Sequence, residues 1–334
     1  MQVAVADSVY LIDPLAVEDI SPLGDLLAAP SVEKIFHSAD YDIRSLDRDW
    51  SFRVSPLFDT GIAAAFVGHT SLGLAALLKE CLNVEVSKTK KLQRADWTIR
   101  PISPELQAYA AEDVRHLDCL AILLRKRLDR LGRTEWVKEE CERLSNVRYT
   151  APDSENAFLS VKGSRNLDGR GLAILRALYS FREREAIRRD RPPFKIFSNA
   201  TMLALAAGPQ SDLRVVKGIG RYAFGKGASN LRRSLQEGMN SDPIERQQPV
   251  SSDRARISAK NRQAARKRLG VLKQWRLEQA RNLGLGAGLV WSAASLERIS
   301  LDPARFDDEM TGTSVRQWQR RELGDSLSAL VERL

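Results

Sequence analysis

The chain has 334 residues, 43% of them hydrophobic, and a formal net charge of +9, enough for two or three domains of roughly 100–150 residues each with a sizeable core. Three cysteines, Cys81, Cys119 and Cys141, show no C-x-x-C spacing, which argues against a disulfide framework and for reduced thiols packed as small hydrophobes in a cytoplasmic protein. No apolar run approaches ~20 residues and the first residues carry no basic n-region, so neither a membrane span nor a secretory signal is expected.

Along the chain, Gln2 to Ala6 and Val9 to Ile12 read as strands separated by Asp7-Ser8 and closed by Asp13-Pro14. Val32 to Phe36 is a third strand, followed by a helix from about Ala39 to Trp50. Leu57 to Phe58 is a short strand before Asp59-Thr60, where Asp59 is expected to cap the next helix. Helical patterns then continue to Gly132, so the front segment is an α/β domain. One helix is expected to begin near Pro104 and run on through Asp113. At 3.6 residues per turn, Leu106, Ala110, Leu117, Leu120, Leu124, Leu128 and Leu131 share a stripe, with Asp113 near its centre and Tyr109 one turn earlier. A carboxylate buried there costs several kcal/mol unless a cation, hydrogen bonds or a metal ion partners it.

The polar stretch 146–156 loses periodicity and 241–256 does so again, placing linkers that divide the chain into residues 1–150, 160–240 and 257–334. Counted from the sequence, these carry net charges of −4 for 1–150, +10 for 160–240 and +5 for 241–334. A whole segment at +10 points to a polyanion such as nucleic acid more than to solvated helix faces. The last two segments are copies. Leu175, Leu178, Phe181, Arg182, Ala186 and Phe197-Ser198 recur as Leu269, Leu272, Trp275, Arg276, Ala280 and Trp291-Ser292, always 94 positions apart, so both are expected to be all-α modules. In the first copy Lys217, Gly218, Gly220 and Arg221 form a G-x-G turn whose backbone N–H groups could face a phosphate; a plain interhelical turn fits the same residues. Lys88, Lys90, Lys91 and Arg94 form a basic loop open to two readings, substrate contact or a solvated surface.

Four ordered motifs resemble the DEDD 3′-5′ exonucleases of the ribonuclease D family: His37-Ser38-Ala39-Asp40-Tyr41-Asp42, Phe58-Asp59-Thr60 with Ala63-Ala64-Ala65-Phe66, Ala95-Asp96-Trp97 with Arg100-Pro101, and Tyr109-Ala110-Ala111-Glu112-Asp113. The duplicated modules resemble HRDC domains, which that family carries in tandem. The resemblance implies an α/β ribonuclease H-like 3′-5′ exonuclease domain followed by two all-α HRDC-like domains. It implies that Asp42 and Asp113 are metal ligands for Mg2+ or Mn2+, and that Tyr109, in the tyrosine subclass, positions the attacking water. His37 is expected to shape the turn after its strand.

The family's first motif, D-x-E on the first strand, would supply two more metal carboxylates, and here it is absent. Asp153-Ser154-Glu155 and Asp307-Asp308-Glu309 lie in the linker and the last module. In the resembled fold that strand sits between the second and fourth, so its loss should leave unpaired ladder groups and an apolar slot costing more than the ~5–15 kcal/mol that holds a domain together. The domain is therefore expected to be N-terminally truncated, with Met1 a secondary start. The expected activity is two-metal trimming of RNA 3′ ends, of tRNA precursors or other structured RNA, impaired in this chain. A binding protein that grips RNA or DNA without hydrolysis is the alternative.

Overall fold

The structure is a computed structural model that describes residues 1–86, 90–151, 153, 155–245 and 259–334; the side chains of Lys90, Ala259 and Lys260 lie outside this set. The chain divides into one unit formed by Met1–Tyr149 with Ile257–Leu334 and another formed by Thr150–Arg256.

In the first unit, β1 (Gln2–Val5) and β2 (Ser8–Leu11) form an antiparallel hairpin with Gln2 opposite Leu11. After α1 (Ser21–Ala28), β3 (Lys34–Phe36) leads through Ser38 into α2 (Asp40–Trp50) and pairs in parallel with β4 (Leu57–Asp59). Among the described residues these are two separate two-stranded sheets. The consequence is visible in the hairpin, where Val5 and Tyr10 remain 57% and 56% exposed. Among the described residues no strand or helix covers these large apolar side chains, which stay in water.

The helices α3 (Thr60–Val67), α4 (Leu74–Leu82), α5 (Lys90–Gln93), α6 (Pro104–Glu112), α7 (Leu117–Leu131) and α8 (Thr134–Ser145) follow. The single helix expected through Asp113 is two helices. α6 stops at Glu112, Asp113 is its C-cap, and α7 restarts after His116. A Glu112–Arg115 ion pair at 2.9 Å sits across the break. Asp113 is thus half-buried at a helix end, outside the α7 core stripe of Leu117, Leu120, Ala121, Leu124 and Leu128, and Leu131 is 47% exposed. The cysteines also depart in part from expectation: Cys141 is buried, but Cys81 is half-buried and Cys119 is exposed.

The C-terminal segment does not form a unit of its own. Its helices α13 (Ala259–Leu283), α14 (Ala287–Val290), α15 (Ala293–Leu301), α16 (Phe306–Thr311) and α17 (Gln317–Val331) build one apolar core with α3, α4, α7 and α8. Trp318 stacks on Trp136 with ring centroids 4.6 Å apart and meets Phe66 edge-on at 5.4 Å. The buried Arg133 guanidinium donates to the carbonyls of Phe66 and Leu283, satisfying its charge on both sides of the seam. The Glu139 carboxylate accepts the N–H groups of Gln317 and Trp318 at the start of α17, and Glu140 pairs with Arg316 at 2.7 Å, which places negative charge where helix N–H groups lack partners.

The second unit consists of α9 (Gly169–Arg188), α10 (Pro193–Ile196), α11 (Asn199–Ala207) and α12 (Gly225–Asn240). The 94-residue offset extends to helix starts: α10 and α11 begin at 193 and 199, and α14 and α15 at 287 and 293. α12 packs closely on α9 at Gly238, where a Cβ would lie 2.6 Å from the Cα of Ile174. Phe181, Phe197 and Tyr222 form the aromatic centre of this core.

Buried Glu185 ties the core to the surface. It accepts hydrogen bonds from Arg188 at 2.7 Å, Arg189 at 3.1 Å and the Tyr222 hydroxyl at 2.9 Å. Arg188 chiefly, with Arg189 and Tyr222 adding, holds its carboxyl at about 2 against the opposing effect of burial. A carboxylate with a depressed folded pKa stabilises above its unfolded pKa and loses that contribution as pH falls toward the folded value. Urea unfolding at pH 6 should therefore show Glu185→Gln less stable than wild type by on the order of 2 kcal/mol, with the exposed Arg188 pair discounted for solvent screening. The gap should close as pH approaches 2, and a gap independent of pH would contradict this account.

Candidate functional site

Asp59 organises the front-unit site. Its carboxylate, fully buried, accepts the N–H groups of Ser38 at 3.0 Å, Ala39 at 2.7 Å, Gly61 at 2.8 Å and Ile62 at 3.0 Å. It caps α3, as the sequence indicates, and also holds the turn that starts α2. His37 completes that turn through Nδ1 to the Thr60 hydroxyl at 2.9 Å, while the same hydroxyl donates to the Phe36 carbonyl.

Asp42 lies in the first turn of α2, which Ala39, Ile43 and Leu46 anchor in the core. Much of the residue is open to solvent, yet its carboxyl is desolvated. That desolvation raises its pKa, opposed by its own backbone hydrogen bond and reinforced by repulsion from Asp59. Tyr109 stands on α6 with its ring 6.1 Å from that of Trp97. Burial first, and then the negative charge of Asp113, push its phenol above the ordinary value. Tyr109 stands one helical turn before Asp113 and feels its charge, and Asp42 feels that of Asp59. Arg100 donates to Asp13 at 2.8 Å, fixing the segment after Trp97 to the end of the hairpin.

Among the described residues no cluster of three or more His, Cys, Asp or Glu side chains could hold a metal ion. Asp42 and Asp113 offer two hard oxygen ligands where the resembled exonucleases use four. Among the described residues the acids thus supply fewer grouped ligands than the two-metal centre that the resemblance implies. Of the basic loop, Lys88 and the Lys90 side chain lie outside the described residues, and Lys91 and Arg94 are exposed.

In the second unit, Gly218 and Gly220 take positive φ of 83° and 55°, with Ile219 right-handed between them. Successive αR and αL residues turn neighbouring N–H groups to one side, the concave arrangement that receives anions. Gly220 and Arg221 line a concavity of about 550 Å3 together with Arg189, Arg191, Lys195, Ile196, Ile219 and Tyr222. Lys217 and Gly218 do not line it; the Lys217 carbonyl instead accepts the Thr201 hydroxyl at 3.1 Å. Sequence reasoning missed Arg189, Arg191 and Lys195, whose signal was the basic, aromatic run 188–195.

Comparison with known proteins places these features. Residues 1–129 match the sequence profile of 3′-5′ exonucleases, and residues 171–226 match that of the HRDC domain. Ribonuclease D of Gluconacetobacter diazotrophicus is 30% identical over 344 aligned positions, covering 99% of this chain and 82% of that protein. Ribonuclease D of Xanthomonas oryzae pv. oryzae is 28% identical, covering 99% and 88%. The crystal structure of Escherichia coli RNase D, an exoribonuclease involved in structured RNA processing, aligns with a TM-score of 0.69 at 21% identity over 99% of this chain and 88% of that one. That likeness is one of fold. Among the described residues no helix is long and apolar enough to cross a membrane.

Proposed function

The chain belongs to the ribonuclease D family, a family of 3′-5′ exonucleases, and from that membership we propose that it acts on the 3′ ends of RNA, tRNA precursors or other structured RNA included, and holds the substrate through its HRDC module. The observation that carries the reading is the joint presence, in family order, of the Asp42 helix, the Asp59 cap and the Tyr109–Asp113 pair in one unit, with a strongly basic module in the other.

Tyr109 is a phenol, protonated at neutral pH as any ordinary tyrosine is and pushed further from ionisation by burial and Asp113, so it can donate a hydrogen bond to a water or phosphate oxygen beside Asp113. Asp42, whose pKa burial raises, accepts a proton more readily than an ordinary aspartate. Mg2+ or Mn2+ is the cofactor that the exonuclease family uses. With two of four carboxylates in the described residues, turnover by this polypeptide is expected to be low. The test is a 5′-labelled tRNA precursor with a 3′ trailer, incubated with Mg2+ beside a DNA strand of the same sequence. Slow, stepwise shortening of the RNA supports the reading. Endonucleolytic fragments, or preference for the DNA, would overturn it.

A second reading is a protein that binds RNA or DNA without hydrolysis, favoured by the lack of a three-ligand cluster among the described residues. It expects salt-sensitive binding with no shortening under any divalent ion.

A further inference from the structure

Between α5 and α6 the chain runs through residues 94–103 without a strand or helix, so its shape there depends on side-chain bonds. The Asp96 carboxylate accepts the Thr98 N–H at 3.0 Å and the Thr98 hydroxyl at 2.5 Å, and the Gln107 amide donates to the Ile102 carbonyl at 2.9 Å. Arg100 makes the remaining links. Its Nη1 donates to the carbonyls of Trp97 at 2.7 Å and Ile99 at 3.1 Å, while Nε and Nη2 grip the two Asp13 carboxylate oxygens, Nη2 at 2.8 Å. A guanidinium presents its donors in a rigid fork. One side of that fork closes the loop, and the other ties it to a residue 87 positions earlier.

Asp13 is itself well held. Its carboxylate also accepts the Leu15 N–H at 3.2 Å, and its carbonyl accepts the N–H groups of Ala16 and Val17 at 3.1 Å. The hydrogen bond from Arg100 chiefly holds that carboxyl at about 2, so the pair stays charged at neutral pH. A cavity of about 510 Å3 lies between the hairpin end and the loop, lined by Leu11, Ile12 and Asp13 of the one and Trp97, Arg100 and Ile102 of the other. Among the described residues apolar packing does not close that gap, and the ion pair links its two walls.

What the loop carries to the site is Trp97. Its ring centre is 6.1 Å from that of Tyr109, with the planes tilted by 45°, which is direct aromatic contact. Tyr109 projects half-buried from α6 one helical turn before Asp113. Rotation about its side-chain torsions sets the place of the hydroxyl, and a ring wall on one side limits the rotamers open to it.

We propose that Arg100 is a positioning residue for the reaction: bound to Asp13, it holds the Trp97 ring against Tyr109 and so sets where the Tyr109 hydroxyl stands beside Asp113. This rests on the reading of the chain as a 3′-5′ exonuclease in which Tyr109 meets the attacking water. Arg100 acts through Trp97 and does not contact the reacting atoms.

The test compares the full chain with Arg100→Gln, Asp13→Asn and Trp97→Leu. Isotope-labelled tyrosine rings give an NMR resonance for Tyr109, identified by its loss in Tyr109→Phe and displaced in the wild type by the ring current of the neighbouring indole. Trp97→Leu removes that current, and Arg100→Gln and Asp13→Asn are expected to move the resonance in the same direction. In release of mononucleotide from 3′-labelled RNA with Mg2+, Arg100→Gln is expected to lower kcat about 10-fold or more and to leave KM unchanged, because misplacing a reacting group by ~1 Å costs up to about 100-fold. Circular dichroism identifies any variant that has unfolded. Asp13→Asn, a conservative change outside the loop, keeps the test decisive if Arg100→Gln does not fold. A Tyr109 resonance unmoved in the folded variants overturns the proposal, as does a moved resonance with unchanged kcat. A raised KM at unchanged kcat makes Arg100 a substrate-binding residue and also overturns it. A wild type that releases no nucleotide overturns the exonuclease reading and the role within it, whereas the resonance still decides whether the Asp13–Arg100 pair holds Trp97 on Tyr109.

Discussion

Trp318→Ala should lower the stability of the first unit by about 3–5 kcal/mol, the range for deleting a fully buried large aromatic side chain. Trp318 belongs to the last helix in the chain, yet its ring is sandwiched in the core of the front domain, stacked on Trp136 and edge-on to Phe66. Its loss removes both ring contacts and opens a cavity that the surrounding helices cannot fill without separating α17 from α8. Arg316 and Glu140, half-buried beside it, would lose their shielding from water, so their pairing cannot compensate. Urea unfolding followed by far-UV circular dichroism measures the effect. A loss below 1 kcal/mol would mean that the C-terminal module and the front domain do not share a core.

Asp59→Ala should cost a comparable amount, about 3–5 kcal/mol, although it removes few atoms. Four backbone N–H groups share this carboxylate, and two begin each of the helices that flank the site. Each orphaned buried donor costs about 1–3 kcal/mol, and a helix cap alone is worth about 1 kcal/mol. Asparagine should rescue little, because its amide would turn an N–H toward backbone donors on one side. Removing the charge should also let the Asp42 pKa move back toward the ordinary value, leaving only the part due to desolvation. Chemical-shift titration of the Asp42 carboxyl carbon in a protein that remains folded would register this. An unchanged midpoint would show that Asp59 exerts no field at Asp42.

The site was legible where chemistry is local and illegible where it depends on distant packing. The four ordered motifs, the Asp59 cap, the turn at His37 and the duplicated helices all rest on residues near one another in sequence, and their spacing carries the geometry. The interruption at Asp113 was hidden for a physical reason. Ala110 and Leu117 are seven residues apart, close to two helical turns, so the apolar stripe stays in phase whether or not the helix is continuous. Asp113 therefore looks central in projection and is a half-buried C-cap in three dimensions.

The role of the last module was hidden for another reason. Nothing in the periodicity of α17 tells whether its apolar face closes on its own module or on α8, and Trp136 and Trp318 are 182 positions apart. Likewise nothing local in the run from Arg188 to Lys195 tells that, with a left-handed residue at Asp190, its cations line one concavity with Arg221. Among the described residues β1–β2 and β3–β4 form separate two-stranded sheets, and local sequence patterns, which mark strands but not their partners, do not tell which strands pair.

The most direct measurement is release of mononucleotide from 3′-labelled single-stranded RNA with Mg2+, by wild type and Asp113→Asn, with binding of the same RNA measured in parallel. The account predicts slow release by wild type, loss of that release in Asp113→Asn, and equal RNA affinity for both, since the proposed RNA grip is on the basic module and not at Asp113. Release that persists undiminished in Asp113→Asn, or RNA affinity that falls with it, would contradict the account.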